Sequence, residues 1–336
     1  MTAATRSRRG IWRTVISIAV LLVALVLLFR NLGADGLRDL GASLSRADPL
    51  LLTLAAGVNL GRYGLWALRW RWIALPAVNI PWWTAFRSLM VSVFLNTVVP
   101  AARPLGGIIR ARLAARHERR PAGPYYGSTL VDQFGYSVIS ALVGATCLLL
   151  AVVEISGGET GRGPLPWVLG AIALVVAGLL IHPGLRARLG AFMERRMPSA
   201  RQTMAGAATA SRVVLARPRT YFLMVTGGSL VWLLNVVVLW IAGQAVGISF
   251  SGGAAAAAWA IGSLAGAVSG TPGGAGTTEA AAANYLAGEG IRFTDALAAV
   301  FLARGLHYLS ALLLGGACFI TRPEGSGPLT ETEPGD

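Results

Sequence analysis

Lysine is absent from this sequence, and charge of any kind is scarce. All 29 basic residues are Arg, set against 15 acids for a net charge of +14, and the absence of Lys reads as a codon-usage effect with no chemical meaning. Charged residues make up only 13% of the chain, roughly half the usual share of about 25% in soluble domains. Only two cysteines are present, Cys147 and Cys318. Both fall in apolar runs, where buried thiols are expected and no disulfide framework is implied. His117, His182 and His307 are scattered without metal-ligand spacing to acids or cysteines, so no metal site or cofactor is expected, and His307 reads as a packed side chain. A nucleophile elbow and paired catalytic acids are missing too. The glycine run Gly273-Gly274-Ala275-Gly276 lacks the Lys and Ser/Thr of a phosphate-cradling loop. These absences argue against an enzyme.

What is present is apolar: 54% of the residues are hydrophobic. With about 20 residues per membrane helix, a chain of this length holds roughly six to nine segments and little else. The arginines cluster at segment ends, which is a topology signal before it is a nucleic-acid signal. Arg6, Arg8, Arg9 and Arg13 precede the first run, Val15–Phe29, and place the N-terminus in the cytoplasm. No clean cleavage site follows, so this run reads as a retained helix. Pro49 opens a second span from Leu50 to about Leu68, which returns to Arg69, Arg71 and the aromatic cluster Trp70, Trp72, Trp82 and Trp83, read as a membrane interface.

Plain counting then fails. If Phe86–Val99 crossed, Arg103, Arg110, Arg112, Arg116, Arg119 and Arg120 would lie outside, against the positive-inside rule. A hairpin over Thr84–His117 that enters from the cytoplasm, breaks at Pro100 and Pro104 and returns removes the conflict. Tyr125–Val153 leads out to Glu154–Arg162, and Trp167–Ile181 returns. Leu185–Arg219, with eight Arg and one acid, reads as a cytoplasmic surface helix against anionic lipid. Tyr221–Val246 crosses outward, and Ala254–Leu286 forms a second hairpin from the outer face. Ala296–Ile320 crosses to a cytoplasmic C-terminus, and the acidic tail 321–336 is expected to be disordered.

The second break, Ser269–Glu279, holds four glycines and Pro272 and cannot continue a helix. Thr277 or Thr278 is expected to cap the helix that follows, with Glu279 in its first turn. The small-residue runs Gly252–Ala258 and Gly262–Gly266 suit close helix packing. The expected architecture is an all-α polytopic integral membrane domain over residues 1–320, with about six full spans and two re-entrant broken hairpins. Its halves, about 11–153 and 165–320, form an inverted repeat; eight plain spans are the alternative.

Ionisable residues inside such segments cost at least about 2.5–3.5 kcal/mol each and need a partner or a use. They are Arg62, Arg103, Arg110, Asp132, Glu279 and Arg304. Glu279 and Arg304 can pair, as can Asp132 with Arg103 or Arg110. The Arg outnumber the acids, which suits an anionic ligand such as a lipid phosphate, and a half-helix N-terminus at each break adds to the same field.

The segment Phe94-Leu95-Asn96-Thr97-Val98-Val99-Pro100, followed by Arg103, Gly106-Gly107 and Arg110, resembles the first signature of the lysylphosphatidylglycerol synthase transmembrane (flippase-like) family. Thr271–Gly276 with Glu279, then Ala298 to Arg304 and Tyr308, resembles its second, and Arg69-Trp70 and Arg71-Trp72 resemble the pair ending its second span. The likeness covers about Ile11 to Ile320. It departs at Ile108-Ile109, where the family often has an acid, and at Asp132-Gln133, where acid-Arg is common. The resemblance implies a plasma-membrane protein that translocates an anionic or aminoacylated lipid, phospholipid or polyprenyl-phosphate-linked, between leaflets. Bifunctional members also carry a synthase domain, which these residues lack, so the chain is not expected to make lysyl-lipid itself. The candidate substrate-binding set is Arg62, Asn96, Pro100, Arg103, Arg110, Asp132, Pro272, Gly273, Gly274, Glu279 and Arg304. Membrane lipids with anionic head groups are the expected partners, with cell-envelope lipid or glycan synthesis enzymes and a second copy of the chain as further candidates; nucleic acid is not expected. Two rivals stand beside this reading: a membrane enzyme acting on lipid phosphates, and a non-transporting partner of a cell-envelope glycosyltransferase.

Overall fold

The computed structural model describes residue 36 and residues 38–98, 103–155, 201–269 and 271–321. The expected helices at 15–29 and 167–181, the break residues 99–102, most of the loop 154–162, residues 185–200 and the tail lie outside these. Among the described residues every regular element is a helix.

Helix α1, Pro49–Ala74, begins where the proline was expected to start it. The Asp48 carboxylate accepts from Leu50 N at 2.8 Å and caps the end. It runs about two turns beyond Leu68, so Arg69, Trp70 and Arg71 are helical residues. Arg69 and Trp70 are buried inside the molecule and do not form the interface expected of them. Trp72, Trp82 and Trp83 are exposed, as an interface requires.

Helices α2 (Trp82–Val98) and α3 (Arg103–His117) form the first hairpin, followed by the long α4 (Gly123–Ile155). The arms are tied where Ser92 Oγ donates to the Gly106 carbonyl at 2.7 Å. Helix α5 (Arg201–Leu215) packs on α4 by close backbone approach: a Cβ on Gly123 would lie 2.9 Å from Gly206 Cα. Helix α6 (Pro218–Ala245) lies along α1. Then come α7 (Gly252–Ser269), a tight turn at Pro272–Gly274, α8 (Thr277–Gly288) and α9 (Phe293–Ser310). The last continues through a π-helical stretch, Ala311–Gly315, into α10 (Gly316–Ile320). A side chain at Gly315 would lie 2.6 Å from the Met90 carbonyl, so the glycine lets α2 approach closely.

The two halves share one series: long helix, two-armed hairpin, long helix. Helix α1 corresponds to α6, α2–α3 to α7–α8, and α4 to α9–α10. The small-residue runs pack closely as expected; a methyl on Gly262 would sit 2.8 Å from the Thr278 carbonyl. Among the described residues four helices are long and apolar enough to cross a membrane: Gly123–Leu148, Pro218–Ala245, Gly252–Ser269 and Phe293–Ile320. Helix α1 is also long enough at 26 residues, but carries Arg62, Arg69 and Arg71. Large apolar side chains such as Leu54, Leu230, Leu233, Leu309 and Leu313 face outward, where a bilayer and not water suits them. Cys147 and Cys318 are free thiols, each half-buried against an apolar cluster and not fully buried.

Candidate functional site

The second break is built by glycine. Gly273, Gly274 and Gly276 have φ of 60, 76 and 82°, the left-handed region that a side chain resists. A Cβ on Gly274 would also press on Gly266 Cα at 2.9 Å. Contrary to expectation, neither threonine caps α8. The N-cap is Gly276, with no side-chain bond. Thr277 Oγ1 instead donates to Ser269 Oγ at 2.9 Å and the Gly274 carbonyl at 3.2 Å, closing the loop on itself. Glu279 does occupy the first turn of α8 and is buried.

Glu279 meets its expected partner. Arg304 Nε on α9 donates to Glu279 Oε1 at 3.1 Å, while Arg304 Nη2 donates to the Gly273 carbonyl and to the Tyr308 hydroxyl. One guanidinium thus clamps a carboxylate, a glycine turn and its own helix. Glu279 Oε2 is left buried without a partner.

Asp132 on α4 also finds an expected partner, and a second one that the sequence reading assigned elsewhere. Arg110 Nη2 on α3 donates to Oδ2 at 2.9 Å, and Arg69 Nε on α1 donates to Oδ1 at 2.9 Å. Arg69 and Arg110 are each 1% exposed and Asp132 is fully buried. Arg69 fits because Gly227 and Gly228 of α6 leave room along its stem. Two cations therefore share one anion, and Arg69 Nη1 with Arg110 Nε and Nη1 remain buried and unpartnered.

Arg62, halfway along α1 and 2% exposed, pairs with no carboxylate among the described residues. Its Nη2 donates to Asn59 Oδ1 at 2.8 Å and to His307 Nδ1 at 3.0 Å. An arginine can only donate, so Nδ1 is an acceptor and the imidazole proton sits on Nε2. His307 is packed, as expected, but within hydrogen-bonding reach of Arg62 and of the Tyr63 hydroxyl. Asn96 is half-buried against Gly106, and its Oδ1 is unpartnered. Pro100 lies outside the described residues; for Arg103 and Pro272 only the backbone is described, each opening its element.

Sequence reasoning passed over Arg69 and the aromatic rings. Each interior guanidinium lies over one: Arg62 over Tyr63 at 4.2 Å, Arg69 over Tyr136 at 4.9 Å, Arg110 over Trp70 at 4.3 Å, and Arg304 over Tyr308 at 4.9 Å. Such contacts contribute roughly 0.5–2 kcal/mol apiece, short of the cost of a buried charge. Arg69 was discoverable, because it stands two helical turns from Arg62 on the same face of α1.

Two hairpins and a cation-rich polar interior, in an otherwise apolar helical shell, define a polytopic membrane protein. The sequence matches the lysylphosphatidylglycerol synthase TM region over residues 14–315. The chain belongs to that family, as the resemblance implied. No curated protein matches it.

Proposed function

We propose that the protein translocates a lipid with an anionic head group between membrane leaflets, doing no covalent chemistry on it. The observation that carries this reading is the interior charge count. Among the described residues Arg62, Arg69, Arg110 and Arg304 face only Asp132 and Glu279, a surplus of two positive charges, with three guanidinium N–H-bearing nitrogens at Arg69 and Arg110 unpartnered. A lipid phosphate supplies acceptors and negative charge together, and Arg binds it through paired donors. Family membership supports lipid handling.

The membrane placement follows from length and charge. One arm of each hairpin is too short to cross: α3 and α8, of 15 and 12 residues, reach about 22 and 18 Å, against a hydrocarbon core of about 30 Å. Both hairpins are therefore proposed as re-entrant, the first from the cytoplasmic face of the plasma membrane and the second from the outer face, with both termini cytoplasmic. An Arg120→Cys variant should resist an impermeant thiol reagent in intact cells while Glu289→Cys reacts. The same response from both would contradict the inverted repeat.

The functional test is reconstitution. Proteoliposomes containing fluorescent-acyl phosphatidylglycerol should lose about half of their dithionite-protected signal quickly when the protein is present, and Arg110→Gln should abolish that loss. Protection unchanged by the protein would sink the transport reading.

A further inference from the structure

Arg62, Trp66 and Arg69 stand on one face of α1 at spacings of four and three residues, within about 60° of one another. The structure faces them with different neighbours. Arg62 meets His307 on α9, while Trp66 and Arg69 meet Tyr136 on α4. Trp66 stacks on the Tyr136 ring at 5.6 Å and 28°, and Arg69 covers the same ring at 4.9 Å. The Trp66 indole Nε1 is buried and has no hydrogen-bond partner. A buried indole N–H usually finds one, because leaving it unmet costs free energy. Along α1, Trp66 falls between two arginines, one without a carboxylate partner among the described residues and one with an unpartnered Nη1.

We propose that this face is a track for the lipid phosphate, with Arg62 and the Arg69–Arg110 pair as its two anion sites and the Trp66 N–H as the donor that bridges them. The proposal rests on the translocation reading and deepens it. Seven residues of helix separate the two sites by about 10 Å, a third of the hydrocarbon thickness. Passage through a membrane needs several sites of moderate strength, since one deep site would trap the ion. The indole suits the intermediate role because it donates a hydrogen bond without adding a third positive charge. A phosphate leaving Arg62 accepts from Nε1 before it reaches Arg69. Trp66 touches the ligand in transit and sets the rate of passage, while the arginines set the affinity.

The test compares the parent protein, Trp66→Phe and a protein carrying benzothienylalanine at position 66, which keeps the two-ring shape and replaces N–H by sulfur. Each is reconstituted with increasing mole fractions of fluorescent-acyl phosphatidylglycerol. Both changes should lower the maximal rate about ten-fold, the loss of one hydrogen bond to a charged group. In the benzothienylalanine protein the half-saturating lipid fraction and the melting temperature should stay where they are, since its two rings keep the stack on Tyr136 and no protein hydrogen bond is lost. An unchanged maximal rate in the benzothienylalanine protein overturns the track and leaves the translocation reading standing. So does a fall in its rate that follows a fall in its melting temperature, because it would make Trp66 a packing residue. A parent protein that moves no lipid overturns both readings.

Discussion

The two interior ion sites differ in how many of their donors the protein uses. In the second half, Arg304 spends its donors on Glu279, on the Gly273 carbonyl and on Tyr308. It works as a clamp that holds α8, the glycine turn and α9 together. In the first half, Arg69 and Arg110 share one carboxylate from opposite sides, each through part of its fork, and keep further nitrogens unpartnered. Removing a member therefore means different things at the two sites. The clamp loses its only counter-charge, whereas the triad can lose one arginine and still be a neutral pair. The comparison assigns structure to one site and an available positive charge to the other.

The largest effect is expected where the triad loses its anion. Asp132→Asn leaves two buried guanidiniums facing each other and should cost about 3–5 kcal/mol or more, read from thermal unfolding in detergent. Arg304→Gln should come close, at about 3–5 kcal/mol, because Glu279 is left buried and charged with neither of its oxygens paired to a cation. Glu279→Gln should cost less, since Arg304 keeps its carbonyl and hydroxyl acceptors. The double variant should recover part of the loss; single losses that simply add would mean that the two side chains do not interact.

Next in size is the turn that the clamp holds. Gly274→Leu meets a φ of 76° and a Cβ position 2.9 Å from Gly266 Cα, and Gly273→Leu meets a φ of 60° with Tyr308 at 3.2 Å. Each should cost about 1–3 kcal/mol of strain. Both proteins should still insert, and lipid flux should be lost, measured as the rate of dithionite quenching. Normal flux in both would make the break a passive loop.

How much of this was legible follows from which interactions are local. The broken second hairpin could be read from Gly and Pro alone, because those residues act on their own backbone. Pro49 as the start of α1 was legible for the same reason, and the Glu279–Arg304 and Arg110–Asp132 pairs followed from the scarcity of charge, which leaves few partners to choose from. Arg69 could be placed on the face of α1 that it shares with Arg62, but its partner was not legible. Sixty-three residues separate it from Asp132, and a cluster of Arg and Trp near a span end has the composition of an interface. The missing threonine cap has a similar cause: Thr277 is drawn back to Ser269 and the Gly274 carbonyl by the tight loop, so Gly276 takes the cap position.

The smallest change in stability should accompany the largest change in binding. Arg110→Gln leaves Asp132 paired with Arg69, so the empty protein should lose only about 1 kcal/mol, well below the loss in Arg304→Gln. Anything that binds the folded protein raises its melting temperature in proportion to occupancy. The decisive measurement is therefore the melting temperature of the parent and of Arg110→Gln against added phosphatidylglycerol in a neutral detergent. The parent should rise with lipid, and Arg110→Gln should start close to the parent and stay nearly flat. An Arg110→Gln protein that melts early yet keeps the full lipid-dependent rise would show that Arg110 is a structural partner of Asp132 and that the anion binds elsewhere.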